Sequence, residues 1–193
     1  MKTTVNDLTA IAERMENTLK TYKAMVMVCT GTGCVSTGGF RIRDALQEML
    51  VRKGLQNDYL VVGTGCNGFC AVGPIVVVQP EGVFYQKVQP GDLDEIVTGH
   101  LVQGRIVERL LYTDPVTGQK NRTMDDIRFF SKQQLIALRN KGIIDPENID
   151  HAIARGAYQA LRRALFDMTP SDIVRDVIAS GIRGRGGGGF PTG

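Results

Sequence analysis

The chain has 193 residues, 42% hydrophobic and 22% charged, with a net charge of +3 and two histidines. That is enough for one generous domain, or one domain and part of another. No apolar run of 18 or more residues could span a membrane, which excludes direct membrane insertion, and the polar, acid-containing Met1–Leu8 stretch does not read as a signal peptide. Residues 1–111 carry 11 basic and 11 acidic side chains, and 112–193 carry 12 and 9. With no block of like charge and few aromatics, the chain lacks the footprint of a nucleic-acid binder.

Leu8, Ile11, Ala12, Met15 and Leu19 recur at helical spacing, predicting an amphipathic helix over 6–20. A buried strand over 25–29 follows and runs into a loop, Cys29-Thr-Gly-Thr-Gly-Cys34. The next helix, about 40–53, carries Ile42, Ala45, Leu46, Met49 and Leu50 on one stripe and stops at Lys53-Gly54. Strand 59–63 leads to a second loop, Cys66-Asn-Gly-Phe-Cys70. After Gly73-Pro74, the run 75–78 and the return strand 83–88 flank a Pro80-Glu81-Gly82 turn, which predicts a hairpin. Asp92 and Glu95 form a capping-box pattern for a helix burying Leu93, Ile96, Val97 and Leu101. One βαβ crossover followed by an antiparallel pair gives an α/β domain of thioredoxin-like architecture, ending near Leu111.

Residues 112–130, with the Asp114-Pro-Val-Thr-Gly118 turn and no periodicity, read as a linker. Beyond it the pattern is helical to residue 180. Segment 131–140 ends at Gly142, and Asp145-Pro146-Glu147 caps a helix interrupted at Gly156. Thr169-Pro170-Ser171-Asp172 then starts a helix burying Ile173, Val174, Val177 and Ile178. The chain closes on Arg183-Gly-Arg-Gly-Gly-Gly-Gly-Phe-Pro-Thr-Gly193, which reads as a chain cut inside a ligand loop.

The four cysteines are all the cysteine there is, in two glycine-laced loops that each follow a strand. Such loops can gather four thiolates around one centre. A reducing cytoplasm, the default without an export signal, argues against disulfides. Cys-x4-Cys and Cys-x3-Cys both suit tetrahedral zinc, so spacing alone leaves the metal open. Iron–sulfur is favoured by the bare amides of Gly31, Gly33, Gly65 and Gly68, which can point at sulfur. Two further points are the buried strands before both loops and a domain with apolar residues enough to fold on its own core. His100 and His151 lie far from the cysteines in sequence, which disfavours a histidine-ligated cluster, and no Cys-x-x-Cys dithiol is present. The terminal glycine run fits either a flexible tail or a backbone cradle for phosphate, with Arg183 or Arg185 adding charge. It is not a P-loop, because no Gly-Lys-Ser/Thr follows.

The run Cys29-x4-Cys34-x31-Cys66-x3-Cys70, with Gly65-Cys-Asn-Gly-Phe-Cys70 and Gly73-Pro74, resembles the thioredoxin-like [2Fe–2S] ferredoxins over residues 25–111. That family includes the small iron–sulfur subunit of complex I and its relatives in hydrogenases and formate dehydrogenases. The resemblance implies that Cys29, Cys34, Cys66 and Cys70 ligate one [2Fe–2S] cluster carrying one electron at a time. Residues 131–193 resemble the start of the flavoprotein subunit of complex I. The matching stretches are Leu138-Arg-Asn-Lys-Gly-Ile-Ile-Asp-Pro146, Gly156-Ala-Tyr158 and Ser180-Gly-Ile-Arg-Gly-Arg185, followed by the glycine loop. Two departures are Gly188, where alanine is common, and Gly156-Ala157, where two glycines are usual. This second resemblance implies a flavin and NADH loop at Gly184, Arg185, Gly186, Gly187, Gly188, Gly189 and Phe190.

Together the two resemblances imply a 1–111 ferredoxin domain, a 112–130 linker and a 131–193 helical segment opening a truncated FMN-binding α/β domain. FMN and NAD(H) or NADP(H) would belong to the intact subunit, and a [4Fe–4S] cluster would lie beyond the end of this chain. The implied setting is a cytoplasmic multisubunit hydrogenase, formate dehydrogenase or complex I-like enzyme, with the other subunits as partners. As it stands the chain would carry an electron without a complete catalytic site. The alternative is a zinc-stabilised module that docks subunits and has no redox role.

Overall fold

A computed structural model describes residues 7–193. The first helix, α1, spans Asp7–Lys20 as expected from residue 7 onward, and residue 6 lies outside the described residues. Four strands form one sheet: β1 (Ala24–Cys29), β2 (Tyr59–Thr64), β3 (Val76–Gln79) and β4 (Val83–Tyr85), in the order β2-β1-β3-β4. β1 and β2 are parallel, with Ala24 opposite Tyr59 and Cys29 opposite Thr64. A parallel pair needs a crossover, and the helix α3 (Gly39–Arg52) supplies it. β3 returns antiparallel to β1 and forms a hairpin with β4. The return strand is shorter than the expected 83–88. Lys87 adopts φ 51, and the amides of Gln86, Lys87 and Val88 donate to Leu110, Val72 and Pro74 rather than to a neighbouring strand.

Both faces of this sheet are buried, which is why its strands read as unbroken apolar runs. Side-chain alternation divides them. Val26, Val28, Val61, Val76, Val78, Val83 and Tyr85 face a core shared with Ile42, Leu46 and Leu50 of α3 and with Leu93, Ile96 and Val97. Met27, Cys29, Val62, Val77 and Phe84 face the other way. Tyr112 and Ile127 cover that second face, with Met124 and Phe130 packed against it.

Residues 112–130 therefore depart from the structureless connection read from the sequence. Tyr112–Thr113 (β5) and Lys120–Asn121 (β6) form a small hairpin. The amides of Phe84 and Met124 donate to Arg122 and Gly82, which seals the stretch to the edge of the sheet. The signal missed was the double-sided apolar sheet itself, since its second face had to be covered by something.

The remaining differences concern helices. The capping box sits at Gln89 and Asp92, not at Asp92 and Glu95, and starts a 3-10 turn over Pro90–Asp92. The following segment, Glu95–Val102, is a π-helix held to the sheet where Tyr85 Oη meets His100 Nδ1 at 2.9 Å. Segment 131–140 is not a helix. Only α4 (Arg128–Ser131) forms there, and Leu135, Ile136 and Leu138 stay exposed. A helix of that length needs an apolar face to bury, and none is offered.

Farther on come α5 (Ile149–Ala154), α6 (Gln159–Phe166) and α7 (Pro170–Ala179). Asn148 rather than Asp145 caps α5, accepting from the Asp150 amide. Arg14 pairs with Asp150, and Leu8 and Ile11 pack with Ile153, so α5 is fastened to α1. The Thr169–Asp172 capping box of α7 forms as read. Ile173, Val174 and Ile178 are exposed, as are Leu161 and Leu165 of α6, so the expected burial of the α7 stripe is absent.

Candidate metal centre

The two cysteine loops leave the sheet side by side because β1 and β2 are parallel and in register. Thr30 fixes the exit: its amide and its hydroxyl both donate to Thr64 O, each at 2.9 Å. Cys29 is the last residue of β1, and alternation places it beside Met27 on the second face. A short helix, α2 (Thr32–Ser36), then turns Cys34 inward, with the Val35 amide donating to Gly31 O. Cys29 and Cys34 are each 1% exposed. Cys66 and Cys70 lie at the surface, with their sulfurs 4.0 Å apart. A 3-10 turn over Cys70–Val72 ends this second loop.

The loops meet through glycine. A Cβ on Gly31 would stand 2.6 Å from Cys66 Cβ and 3.2 Å from its Sγ, and one on Gly33 would stand 2.9 Å from Cys70 Sγ. A Cβ on Gly73 would be 2.8 Å from Cys34 Sγ. These glycines leave the space that the Cys34, Cys66 and Cys70 side chains occupy. One of the expected amide contacts is present, as Gly68 N–H donates to Cys66 Sγ at 3.2 Å. Gly31, Gly33 and Gly73 are required for close approach, whereas Gly65 has open space around it.

The thiols sense one another. Burial pushes the Cys34 thiol up to about 12, and its hydrogen bond with Cys29 and the nearby Cys70 add to that. Cys70 is pushed up by its hydrogen bond to Cys66 and by the charges of Cys66 and Cys29. Crowded thiolates without a cation behave this way, and metal binding would release protons from them. Among the described residues no three His, Cys, Asp or Glu side chains stand at metal-holding geometry, so the sulfurs are gathered but not set in a ligand polyhedron.

The histidines have other partners. Tyr85 Oη accepts from the Val107 amide at 3.1 Å and meets His100 Nδ1, and burial holds His100 below its ordinary value. His151 Nδ1 accepts from the Asp145 amide, and burial lowers it likewise.

Sequence reasoning missed the residues around the second loop. Phe69 stacks on Phe129 with centroids 5.0 Å apart and planes 5° from parallel, and it meets the edge of Phe130 at 5.6 Å. Asn67 is 1% exposed, and neither polar atom of its side chain has a hydrogen-bond partner. Lys141 Nζ donates to Asn67 O at 3.3 Å and lies over the Phe130 ring.

The glycine loop is organised on its own terms. The amides of Gly184 and Thr192 donate to Phe190 O and Ile182 O, and Arg183 donates to Gly189 O, closing a hairpin around 184–189. Gly187 and Gly189 take φ 109 and φ 62. The departure at Gly188 has a steric side, since a Cβ there would lie 2.9 Å from the Phe190 ring. Phe190 itself is exposed.

The family model described as Thioredoxin-like [2Fe-2S] ferredoxin matches residues 10–100. The chain is 43% identical over 77 residues to a 2Fe-2S ferredoxin of Clostridium pasteurianum, covering 40% of this chain and 76% of that protein. It is 52% identical over 79 residues to a 2Fe-2S ferredoxin of Aquifex aeolicus, covering 40% and 71%. It is also 56% identical over 62 residues to the HndC subunit of the NADP-reducing hydrogenase of Solidesulfovibrio fructosivorans. That match covers 32% of this chain and 12% of the relative. Among the described residues no helix is long and apolar enough to cross a membrane.

Proposed function

The chain belongs to the thioredoxin-like [2Fe–2S] ferredoxin family, and on that premise we propose that Cys29, Cys34, Cys66 and Cys70 together hold its cluster. The observation that carries the assignment is the meeting of the two loops through Gly31, Gly33 and Gly73, where an added Cβ would run into Cys66, Cys70 and Cys34. The donor set fits: four soft thiols, one loop amide already donating to sulfur, and both histidines engaged elsewhere. A bound cluster supplies a one-electron centre, and the protein's part is to position and shield it. Cys29 and Cys34 anchor the buried side, while Cys66 and Cys70 present the side from which electrons enter and leave. Four thiols would also accept zinc, but a zinc-held docking module has no support from the family.

The wider reading is that this is the N-terminal part of a cytoplasmic flavoprotein subunit that exchanges electrons with NAD(H) or NADP(H) inside a multisubunit redox complex. It rests on the likeness to the hydrogenase subunit and on the hairpin Gly184–Phe190. That hairpin offers amides and the Arg185 cation to FMN or a nicotinamide nucleotide. The 12% coverage of that relative leaves the flavin chemistry to the rest of such a subunit.

Anaerobic reconstitution with iron and sulfide tests the central assignment. Brown protein with about two irons and two sulfides per chain is expected, and each of the four Cys→Ala variants should lose the cluster. Stoichiometric zinc without visible absorption, or normal cluster spectra in two cysteine variants, would overturn it.

A further inference from the structure

The cluster loop is clasped by a turn more than seventy positions later in the chain. Lys141 reaches Asn67 O, one residue past Cys66, and the contact is partly buried. Three features hold it there. The ammonium lies 5.7 Å from the centroid of the Phe130 ring. Phe130 packs edge-on against Phe69, the neighbour of Cys70. Gly142, at φ +71, presses so closely on the Asn67 side chain that a Cβ would come within 2.9 Å of Oδ1. Among the described residues Lys141 forms no ion pair. Glu81 and Asp125 line the same 360 Å³ cavity beside the hairpin turn, together with Arg139. Geometry therefore directs the positive charge of Lys141 at the loop, and among the described residues no carboxylate is in ion-pair contact with it.

We propose that Lys141 is a positioning residue of the electron-transfer site, one that raises the reduction potential of the centre held by the 66–70 loop. The inference rests on the [2Fe–2S] assignment above. Four thiolates, two sulfides and two ferric ions make a doubly negative centre. One electron from a one-electron donor makes it triply negative, with no bond broken and no proton moved. A nearby cation stabilises the more negative state more, and partial burial keeps solvent and salt from screening it. Lys141 lies in the 131–193 segment, so the potential of the cluster is coupled to whether that segment is seated on the loop.

Mediated potentiometric titration of the reconstituted full chain, read by electron paramagnetic resonance, tests this with four variants. At the wild-type midpoint, Lys141→Gln should lower the ratio of reduced to oxidised protein by about threefold, which is about 30 mV for a one-electron couple. Lys141→Arg, which keeps the charge, should stay near wild type, as should Lys132→Gln on the exposed end of α4. Gly142→Ala should fall with Lys141→Gln, because the added methyl displaces the turn. If the Lys141→Gln midpoint coincides with that of Lys132→Gln while both clusters form normally, the inference is wrong. If Lys141→Arg falls as far as Lys141→Gln, a packing role replaces the charge and the inference is equally wrong. If the wild-type chain gives no iron–sulfur signal, the [2Fe–2S] assignment itself has failed and takes the inference with it.

Discussion

A methyl group separates a working cysteine loop from a blocked one. Gly65 and Gly73 both flank the second pair, and the sequence gives no reason to rank them. The structure does: a Cβ on Gly65 meets nothing within 4 Å, whereas one on Gly73 meets Cys34 Sγ at 2.8 Å and Cys70 O at 3.4 Å. Cys34 is buried and held by Cys29, so it has no room to retreat. Overpacking of this kind costs about 1–3 kcal/mol where the surroundings cannot shift, and here it also displaces the Cys34 sulfur proposed to hold the cluster. Gly73→Ala should therefore lose most of its iron on reconstitution, while Gly65→Ala should keep it. Equal iron content in the two variants, measured per folded chain, would show that the loops relax more easily than their packing indicates.

The elements legible from the sequence were those whose local pattern and tertiary role agree. α1, α3, β1, β2 and β3 fall within a residue or two of their expected bounds, and β4 starts where expected, because periodicity, caps and turn residues point one way. Both cysteine loops were legible for the same reason, being short runs between strong strands. The clasp on Asn67 was not, because nothing local in Lys141-Gly142 announces a partner seventy-four positions away. The π-helix is another such case. An apolar spacing of 93, 96 and 97 fits an ordinary helix, and its actual form is tied to a buried polar contact across the sheet. That contact yields a pH prediction. Tyr85 Oη, which accepts from the Val107 amide, meets His100 Nδ1, and burial is the main reason the His100 pKa is lowered, with Arg122 adding and Glu81 opposing. The unfolded chain takes up its proton near the ordinary value of about 6.5. Below that pH the unfolded state binds more protons than the folded one, so stability falls as pH falls. His151 acts in the same direction. Asp94, Asp114, Asp126 and Asp172 are held below the usual carboxylate range and titrate only in more acid solution. Between about pH 7.5 and about pH 5.5 the thermal midpoint should drop, and His100→Gln should drop less. A variant with the wild-type slope would remove His100 from the account.

At the scale of the whole molecule, the question is where the ferredoxin unit stops. Its first core closes by Leu111, which is where sequence periodicity places the boundary. Its second core does not close there. Met27, Val77, Phe84 and the buried cysteines Cys29 and Cys34 share that face with Tyr112 and Ile127, and Ile127 is only 2% exposed. Burying one such side chain contributes about 1.5–3 kcal/mol, and losing the whole 112–130 stretch would expose several at once, next to the two buried thiols. Typical domain stabilities are about 5–15 kcal/mol, so the loss is large on that scale. We therefore place the functional boundary after residue 130. It precedes the exposed stretch 132–139, where neither helix nor sheet protects the backbone. A chain ending at residue 130 should fold and keep its cluster, whereas one ending at 111 should bind less iron and unfold at lower temperature. Ile127→Ala in the full chain should reproduce part of that loss, about 2–5 kcal/mol if the cavity stays open. Limited proteolysis provides an independent reading, because cleavage follows local opening. The first cut should fall between 131 and 140, leaving a coloured fragment that retains Ile127. Early cleavage between 120 and 130, with the cluster intact in the remaining 1–111 piece, would return the boundary to Leu111 and reduce the second core to an accessory contact.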